Sequence, residues 1–420
     1  MNSDEKRDAR DSADAMNTGD ALRSGQRTVR IGLLGQYSSR NLGDAAIVHE
    51  IIRNLRSRMP GAEFVGICSR PDDTTRTHGV AAFPISGHGP AFRADGSPWL
   101  EVDPPPGPGG GTRRIDRVVR SLDLLVMAGG GQVDDYWGGA GEQPRFLATW
   151  TTLSRLRRVP AAFFCVGLDR LATRTGRWLS LLSLRNAAFV SFRDEGTRDL
   201  LRQMGLRKPC AVYADPAFGL PGSVQAAFAP RRRVVVSPIC KKSWPGATHE
   251  QYEHYLRELA HFAEATIRSG LEVRFACSQI SMDPEAVSRV GVRIPAALRD
   301  SWSVADVRTF EDFVHEASRA DVVVTSRLHG TILALVAGTS VIAVSVARKV
   351  TAVMADVGLS DYCVEASDVD ATRLVALSDK AMSESAEVRR RINVSVQRLA
   401  NRLPEGYAAL AALVRPNPVR

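Results

Sequence analysis

No CxxC pair occurs among the six cysteines, Cys68, Cys165, Cys210, Cys240, Cys277 and Cys363, which are widely spaced and mostly end apolar runs. This excludes the common zinc modules and fits a reduced, cytoplasmic core. No apolar run is long enough to cross a bilayer. The opening stretch MNSDEKRDARDSADAMNTGDALRSGQR is polar and lacks an apolar secretory segment, so Met1 to Arg27 is expected to be a disordered tail. Excess charge of one sign is modest too. Lys plus Arg is 55 against 46 for Asp plus Glu, a formal +9. That excess suits an acidic ligand or an anionic membrane surface. Without RNA-binding aromatics, zinc-finger spacing or a basic helix, it does not imply nucleic acid. The turn Gly35 to Asp44 after the first apolar run lacks a Gly-Lys-Ser/Thr ending and is not a G-x-G-x-x-G turn.

What is present is a soluble-protein composition, 44% hydrophobic and 24% charged over 420 residues, enough for two domains. The most informative stretch is Ala320 to Val346, ADVVVTSRLHGTILALVAGTSVIAVSV. Three consecutive valines predict a buried parallel strand over Asp321 to Thr325. Ser326-Arg327-Leu328-His329-Gly330 is the turn, Thr331 to Ala337 a helix stopped by Gly338, and Val341 to Val346 the next strand. Such a turn joins a strand's carboxyl end to a helix's amino end, where α/β sheets bind anions. Arg327 offers a fork for a planar anion and His329 a proton carrier near neutral pH. An ion pair for Arg327 and a carbonyl partner for His329 would explain the same residues without a ligand.

The rest of the chain repeats the strand-turn-helix pattern. Val29 to Leu34 predicts a strand ending in a turn that contains Gly35, Asn41, Gly43 and Asp44, then a helix bearing Ile47, Ile51, Ile52 and Leu55. Asn41 and Asp44 would cap that helix or hold a substrate hydroxyl. Leu122 to Met127 predicts a strand that ends in Gly129-Gly130-Gly131, whose freedom permits a backbone-lined ligand wall. Further strands are expected at Glu63 to Cys68, Ala161 to Val166, Ala187 to Phe192, Val234 to Ser237 and Leu271 to Cys277. Arg193 follows one strand and Lys349 another, adding two cations at strand ends. Arg193 has the alternative of a plain salt bridge. The Pro- and Gly-rich stretch Ser69 to Gly111 reads as an irregular insert, a flap or disordered. His78 and His88 within it, and the adjacent acids Asp134 and Asp135, read as solvated loop residues. His249, His254 and His261 share a helix at spacings that do not suit a metal. These patterns divide the chain into a first domain over residues 28–220, a linker over 221–233 and a second domain over 234–420. Two helical segments are expected in Val369 to Val414, one of them able to pack back on the first domain.

The motifs, in order, resemble those of the polysaccharide pyruvyl transferase family. They are Gly35 with Asn41-Leu42-Gly43-Asp44, Asp123 with Gly129-Gly130-Gly131, Ser191-Phe192-Arg193-Asp194, Asp215-Pro216-Ala217-Phe218, Ser326-Arg327-Leu328-His329-Gly330 and Lys349. The resemblance implies two Rossmann-like domains facing each other across a cleft, the GT-B-like architecture, with the acceptor on the first domain and the donor on the second. It implies transfer of pyruvate from phosphoenolpyruvate to a sugar diol as a cyclic ketal, with no cofactor and no metal. Arg327, His329 and Arg193 fall on the family's proposed donor-site positions. Lys349 would take the departing phosphate, Ser326, Leu328 and Gly330 would shape the donor turn, and Asn41, Asp44, Gly129 and Gly130 would face the acceptor. A lipid-linked acceptor would bring the protein to the inner face of the membrane. The sequence departs from the family at Gly167-Leu168-Asp169-Arg170, where a Gly-Pro turn is common, and in the segment before Lys349. A nucleotide-sugar glycosyltransferase and a non-enzymatic binding protein remain the rival readings.

Overall fold

The computed structural model describes residues 28–35, 40–102, 109–135, 138–222, 232–244 and 246–414. The expected tail and most of the expected linker lie outside them. The first half holds strands β1 (Arg30–Leu34), β2 (Glu63–Cys68), β3 (Ala81–Pro84), β4 (Leu124–Ala128), β5 (Ala161–Val166), β6 (Phe189–Phe192) and β7 (Ala211–Val212). Its helices are α1 (Leu42–Arg58), α2 (Pro71–His78), α3 (Gly110–Ser121), α4 (Gln143–Leu156), α5 (Arg174–Asn186) and α6 (Glu195–Gln203). The second half holds β8 (Arg233–Ser237), β9 (Glu272–Phe275), β10 (Trp302–Val304), β11 (Val322–Thr325), β12 (Ser340–Ser345) and β13 (Cys363–Glu365). Its helices are α7 (His249–Arg268), α8 (Pro284–Gly291), α9 (Phe310–Ser318), α10 (Leu328–Val336), α11 (Arg348–Asp356), α12 (Ala371–Ser383), α13 (Ser385–Ala400) and α14 (Leu403–Ala412).

Two parallel sheets result, ordered β3-β2-β1-β4-β5-β6-β7 and β10-β9-β8-β11-β12-β13. Helices cover both faces, so the central strands are apolar along their whole length; β4, β5, β11 and β12 are buried at every residue. The order of strands reverses between β1 and β4 in one sheet and between β8 and β11 in the other. Adjacent loops diverge at such points and leave a crevice at the strands' carboxyl ends.

Three sequence readings need correction. Residues 69–111 are not one irregular insert. They contain α2, and β3 pairs along β2 in register. The Trp150 indole then donates to the Ile85 carbonyl at 2.8 Å. Helix α2 reads PDDTTRTH and has no apolar stripe, but Pro71 sits in its first turn and Gly79 (φ +62°) ends it in the left-handed region. His78 is half-buried on that helix, and burial pushes its pKa from 6.5 down to about 4. Asp134 and Asp135 are buried as well. Asp135 accepts from the Ala172 and Thr173 amides and the Thr173 hydroxyl at 2.7–2.8 Å, which ties the β4 loop to the start of α5. The chain end forms three helices. The last, α14, packs on α1 and β6 of the first half. Among the described residues no helix is long and apolar enough to cross a membrane.

Candidate functional site

A cleft of about 1220 Å³ lies between the carboxyl ends of the two sheets. Asn41, Asp44, Arg193, Ser326, Arg327, Leu328, His329 and Lys349 all line it. The halves touch closely beside it. The Leu42 amide donates to the Ser278 carbonyl (3.1 Å) and the Ile280 amide to the Arg40 carbonyl (2.9 Å), around an antiparallel bridge between Asn41 and Gln279.

The turn after β11 does what the strand-to-helix pattern expects. Arg327 is in extended backbone as the N-cap residue of α10, so Leu328 and His329 occupy its first turn, where amides lack intrahelical partners. The His329 ring lies against Gly43 of α1: a Cβ at Gly43 would collide with its Cγ, Nδ1 and Cβ atoms. On the other side, His329 Nε2 approaches Asp215 Oδ2 at 3.5 Å. Both are buried atoms without a hydrogen-bond partner.

Asp215 sits just past β7, 3% exposed, and its second oxygen accepts from the Ala217 amide at 3.1 Å. Burial works to raise its pKa, but the His329 imidazole and then the Arg193 guanidinium outweigh it and hold the carboxyl below 3.8. Arg193 is itself only 6% exposed as a side chain, with Asp215 at 3.7 Å and Asp194 at 3.8 Å. No guanidinium hydrogen bond of Arg193 exists among the described residues, because Asp194 is committed to capping α6 through the Thr197 amide. Gly167 gives Arg193 its room; a Cβ there would run into the guanidinium. Asp44, on the first turn of α1, has its pKa raised, chiefly by burial and also by Asp215, against the opposing charges of His329, Arg193 and Lys349.

Arg327 differs from the expectation of a free fork. Its Nε and Nη2 each donate to Asp283 at 2.6 Å, and Nη2 also donates to the Ser243 hydroxyl at 3.0 Å. A bidentate grip on a ligand is therefore not open to it, and Nη1 is the nitrogen left without a partner among the described residues. Lys349, in the first turn of α11, pairs with Asp169 of the first half at 2.5 Å. Ser326 lines the cleft but bonds the Tyr255 hydroxyl at 2.7 Å, a structural contact.

Three predicted glycines do not line the cleft. Gly129 (φ +57°) makes room for Ile47 of α1, and Gly330 packs against the Thr325 hydroxyl on β11. Gly130 (φ +69°) carries a tight turn close to Asp44 Oδ1 and Gln132 Nε2. Conversely, Asp215, Asp283, Asp169 and Gln132 belong to the site or support it and were not among the expected site residues, although Asp215 stands within the Asp215-Pro216-Ala217-Phe218 motif and Asp169 within the departure at Gly167-Leu168-Asp169-Arg170. Asp215 had a signal, its place just after a short strand. Asp283, 44 residues before Arg327, had none.

Residues 41–348, most of the chain, match the family described as polysaccharide pyruvyl transferase. The chain belongs to that family of enzymes. No curated protein matches it in sequence. Among solved structures it is similar to the UDP-GlcNAc 2-epimerase of Neisseria meningitidis bound to UDP-GlcNAc (TM-score 0.59, 8% identity, 92% of this chain and 100% of that one). It is also similar to the UDP-GlcNAc 2-epimerase of Methanocaldococcus jannaschii (0.54, 10%, 85% and 93%). A third is a UDP-glucose:anthocyanidin 3-O-glucosyltransferase in complex with UDP (0.52, 13%, 93% and 99%). At these identities the likeness concerns the fold, which is the GT-B arrangement of two parallel α/β sheets expected from the sequence.

Proposed function

We propose that the protein moves pyruvate from phosphoenolpyruvate to two hydroxyls of a sugar-containing acceptor and releases phosphate. The observation that supports this most is Arg193. A nearly buried guanidinium without hydrogen bonds, set beside the unpartnered His329 Nε2, is an arrangement that a small multivalent anion completes. The family supplies the pyruvyl donor chemistry.

In this reading the donor lies between Arg193, Arg327 Nη1, Lys349 and the first-turn amides of α10. His329 delivers a proton to the donor methylene, making it a methyl group. One acceptor hydroxyl bonds to C2, the second displaces the phosphate oxygen, and the two hydroxyl protons leave, one replacing the proton spent and one departing on hydrogen phosphate. Asp215 orients His329 and stabilises its charged form. Lys349 meets the departing phosphate, and the pairing of each cation with a carboxylate keeps the site near neutrality until the donor binds. Asn41 and Asp44 hold the acceptor across the cleft. A lipid-linked sugar is one acceptor this geometry admits.

The test is phosphate release and ketal formation from phosphoenolpyruvate with sugar acceptors. His329→Ala should lower kcat by about two to four orders of magnitude, the usual range for a positioned acid–base. Arg327→Lys should mainly raise the donor's KM. Near-full turnover in His329→Ala rejects the acid–base role. Wild-type turnover of a nucleotide-sugar, with none of phosphoenolpyruvate, rejects pyruvyl transfer.

A further inference from the structure

We propose that Asp44 and Gln132, which both line the cleft beside Gly130, form a hydroxyl-recognising subsite for an uncharged sugar. The proposal rests on the reading above that a sugar acceptor occupies the first half's wall, and it names the groups that select it.

Gly130 follows β4, next to the point where the first sheet reverses its strand order. A Cβ placed on it would meet two atoms only, Asp44 Oδ1 at 3.1 Å and Gln132 Nε2 at 3.3 Å. One accepts hydrogen bonds and the other donates them. Each is turned toward this place by a bond on its other side. Asn41 Nδ2 donates to Asp44 Oδ2 at 2.5 Å, and Gln143 Nε2 donates to Gln132 Oε1 at 2.8 Å. Asp44 Oδ1 and Gln132 Nε2 then have no partner among the described residues, although Gln132 is only 3% exposed. Asp44 and Gln132 both line the cleft, and an acceptor and a donor this near each other fit a hydroxyl, or neighbouring hydroxyls of one ring, since a hydroxyl both gives and takes a hydrogen bond. They do not fit a carboxylate or phosphate, which Asp44 would repel. The cations Arg193 and Lys349 are paired with Asp215 and Asp169. The cleft thus separates a cationic place for a charged donor from a hydroxyl-reading place for a neutral acceptor.

The experiment measures binding of methyl hexopyranosides and methyl uronopyranosides to the full chain by saturation-transfer NMR, without phosphoenolpyruvate. Neutral glycosides should bind about tenfold or more tightly than the uronates. Gln132→Ala, and separately Gln132→Glu, which keeps the size but loses the donor, should weaken neutral binding by about tenfold or more, the loss expected when one buried hydrogen-bonding partner goes. Phosphoenolpyruvate binding should stay within about twofold, showing that the variants are folded. A series of single deoxy-glycosides on the wild type should show one position whose removal costs the same factor. Unchanged neutral binding in both variants, or equal binding of uronates, overturns the subsite. Gln132-dependent binding with no ketal from phosphoenolpyruvate upholds it and rejects pyruvyl transfer. Ketal formation with an acceptor KM indifferent to Gln132→Ala does the reverse.

Discussion

Two nitrogens of Arg327 are held by Asp283 before any ligand arrives, and Asp283 is fully buried. The same carboxylate accepts from the Cys240 amide at 3.1 Å and the Gln279 amide at 3.2 Å. It therefore fixes the direction of Nη1 and anchors the loop that pairs with Arg40 to Leu42. Asp283→Ala would leave a guanidinium in a mostly buried place with no counter-charge. Breaking a buried pair in this way costs about 3–5 kcal/mol. Denaturant unfolding should report a loss of that size. Asp283→Asn should fold better, because its one oxygen can still accept from one of the two loop amides, yet raise the donor's KM by about tenfold as Arg327 loses its fixed orientation. If Asp283→Asn leaves donor KM unchanged, Arg327 does not depend on this contact for its role.

At the level of elements, the site depends on how closely the amino ends of α1 and α10 approach. Both are first turns that follow central strands, and only a glycine at 43 lets the His329 ring reach the α1 backbone. Gly43→Ala must move the helix or the ring, since the added carbon meets Cγ and Nδ1 rather than the loose end of a flexible chain. A shift near 1 Å at a catalytic group costs roughly a hundredfold in rate. We expect kcat to fall by that order while unfolding free energy changes by about 1–3 kcal/mol, the usual cost of overpacking. A variant with wild-type kcat would show that the ring can swing without loss. This contact also marks where the sequence was readable and where it was not. Strands β2 and β5 run over the very residues that apolar runs predict, because burial on both faces leaves an unbroken hydrophobic signal. The turn residues Arg327, His329 and Arg193 were legible from their places at strand ends. Helix α2 was not, for it buries threonines and an aspartate rather than an apolar stripe. Nor was Asp283, since a contact across 44 residues of chain leaves no local pattern. The glycine turn after β4 was recognised as special, but its φ values serve packing against α1 as much as any ligand.

On the scale of the whole molecule, the chain end adds to what ties the halves into one body. Helix α14 follows the second sheet in sequence but packs on the first. Tyr407, 1% exposed, packs against Phe164 of β5 with ring centres 4.9 Å apart and planes tilted by 45°, and Arg58 of α1 lies 5.5 Å from its ring centre. A Cβ on Gly406 would already press on the Phe164 and Tyr213 rings, so the helix seats tightly. One apolar cluster runs from Ile31 of β1 through Phe164 and Tyr407 to Val323 of β11 and Ile342 of β12. Such continuity predicts that the two halves unfold as a unit, because neither can open without exposing part of the other's core. Tyr407→Ala should then cost about 3–5 kcal/mol, as large aromatic truncations in cores do. It should lower the midpoint of a single transition followed by tryptophan fluorescence and circular dichroism alike. The Tyr407 hydroxyl is buried without a hydrogen-bond partner, so Tyr407→Phe removes a desolvated polar group and should be neutral or stabilising by about 1 kcal/mol. Two separated transitions in Tyr407→Ala, with the second half's unchanged, would mean that α14 fastens the first half alone. A loss in Tyr407→Phe as large as that in Tyr407→Ala would mean that the hydroxyl, and not the ring, holds the helix in place.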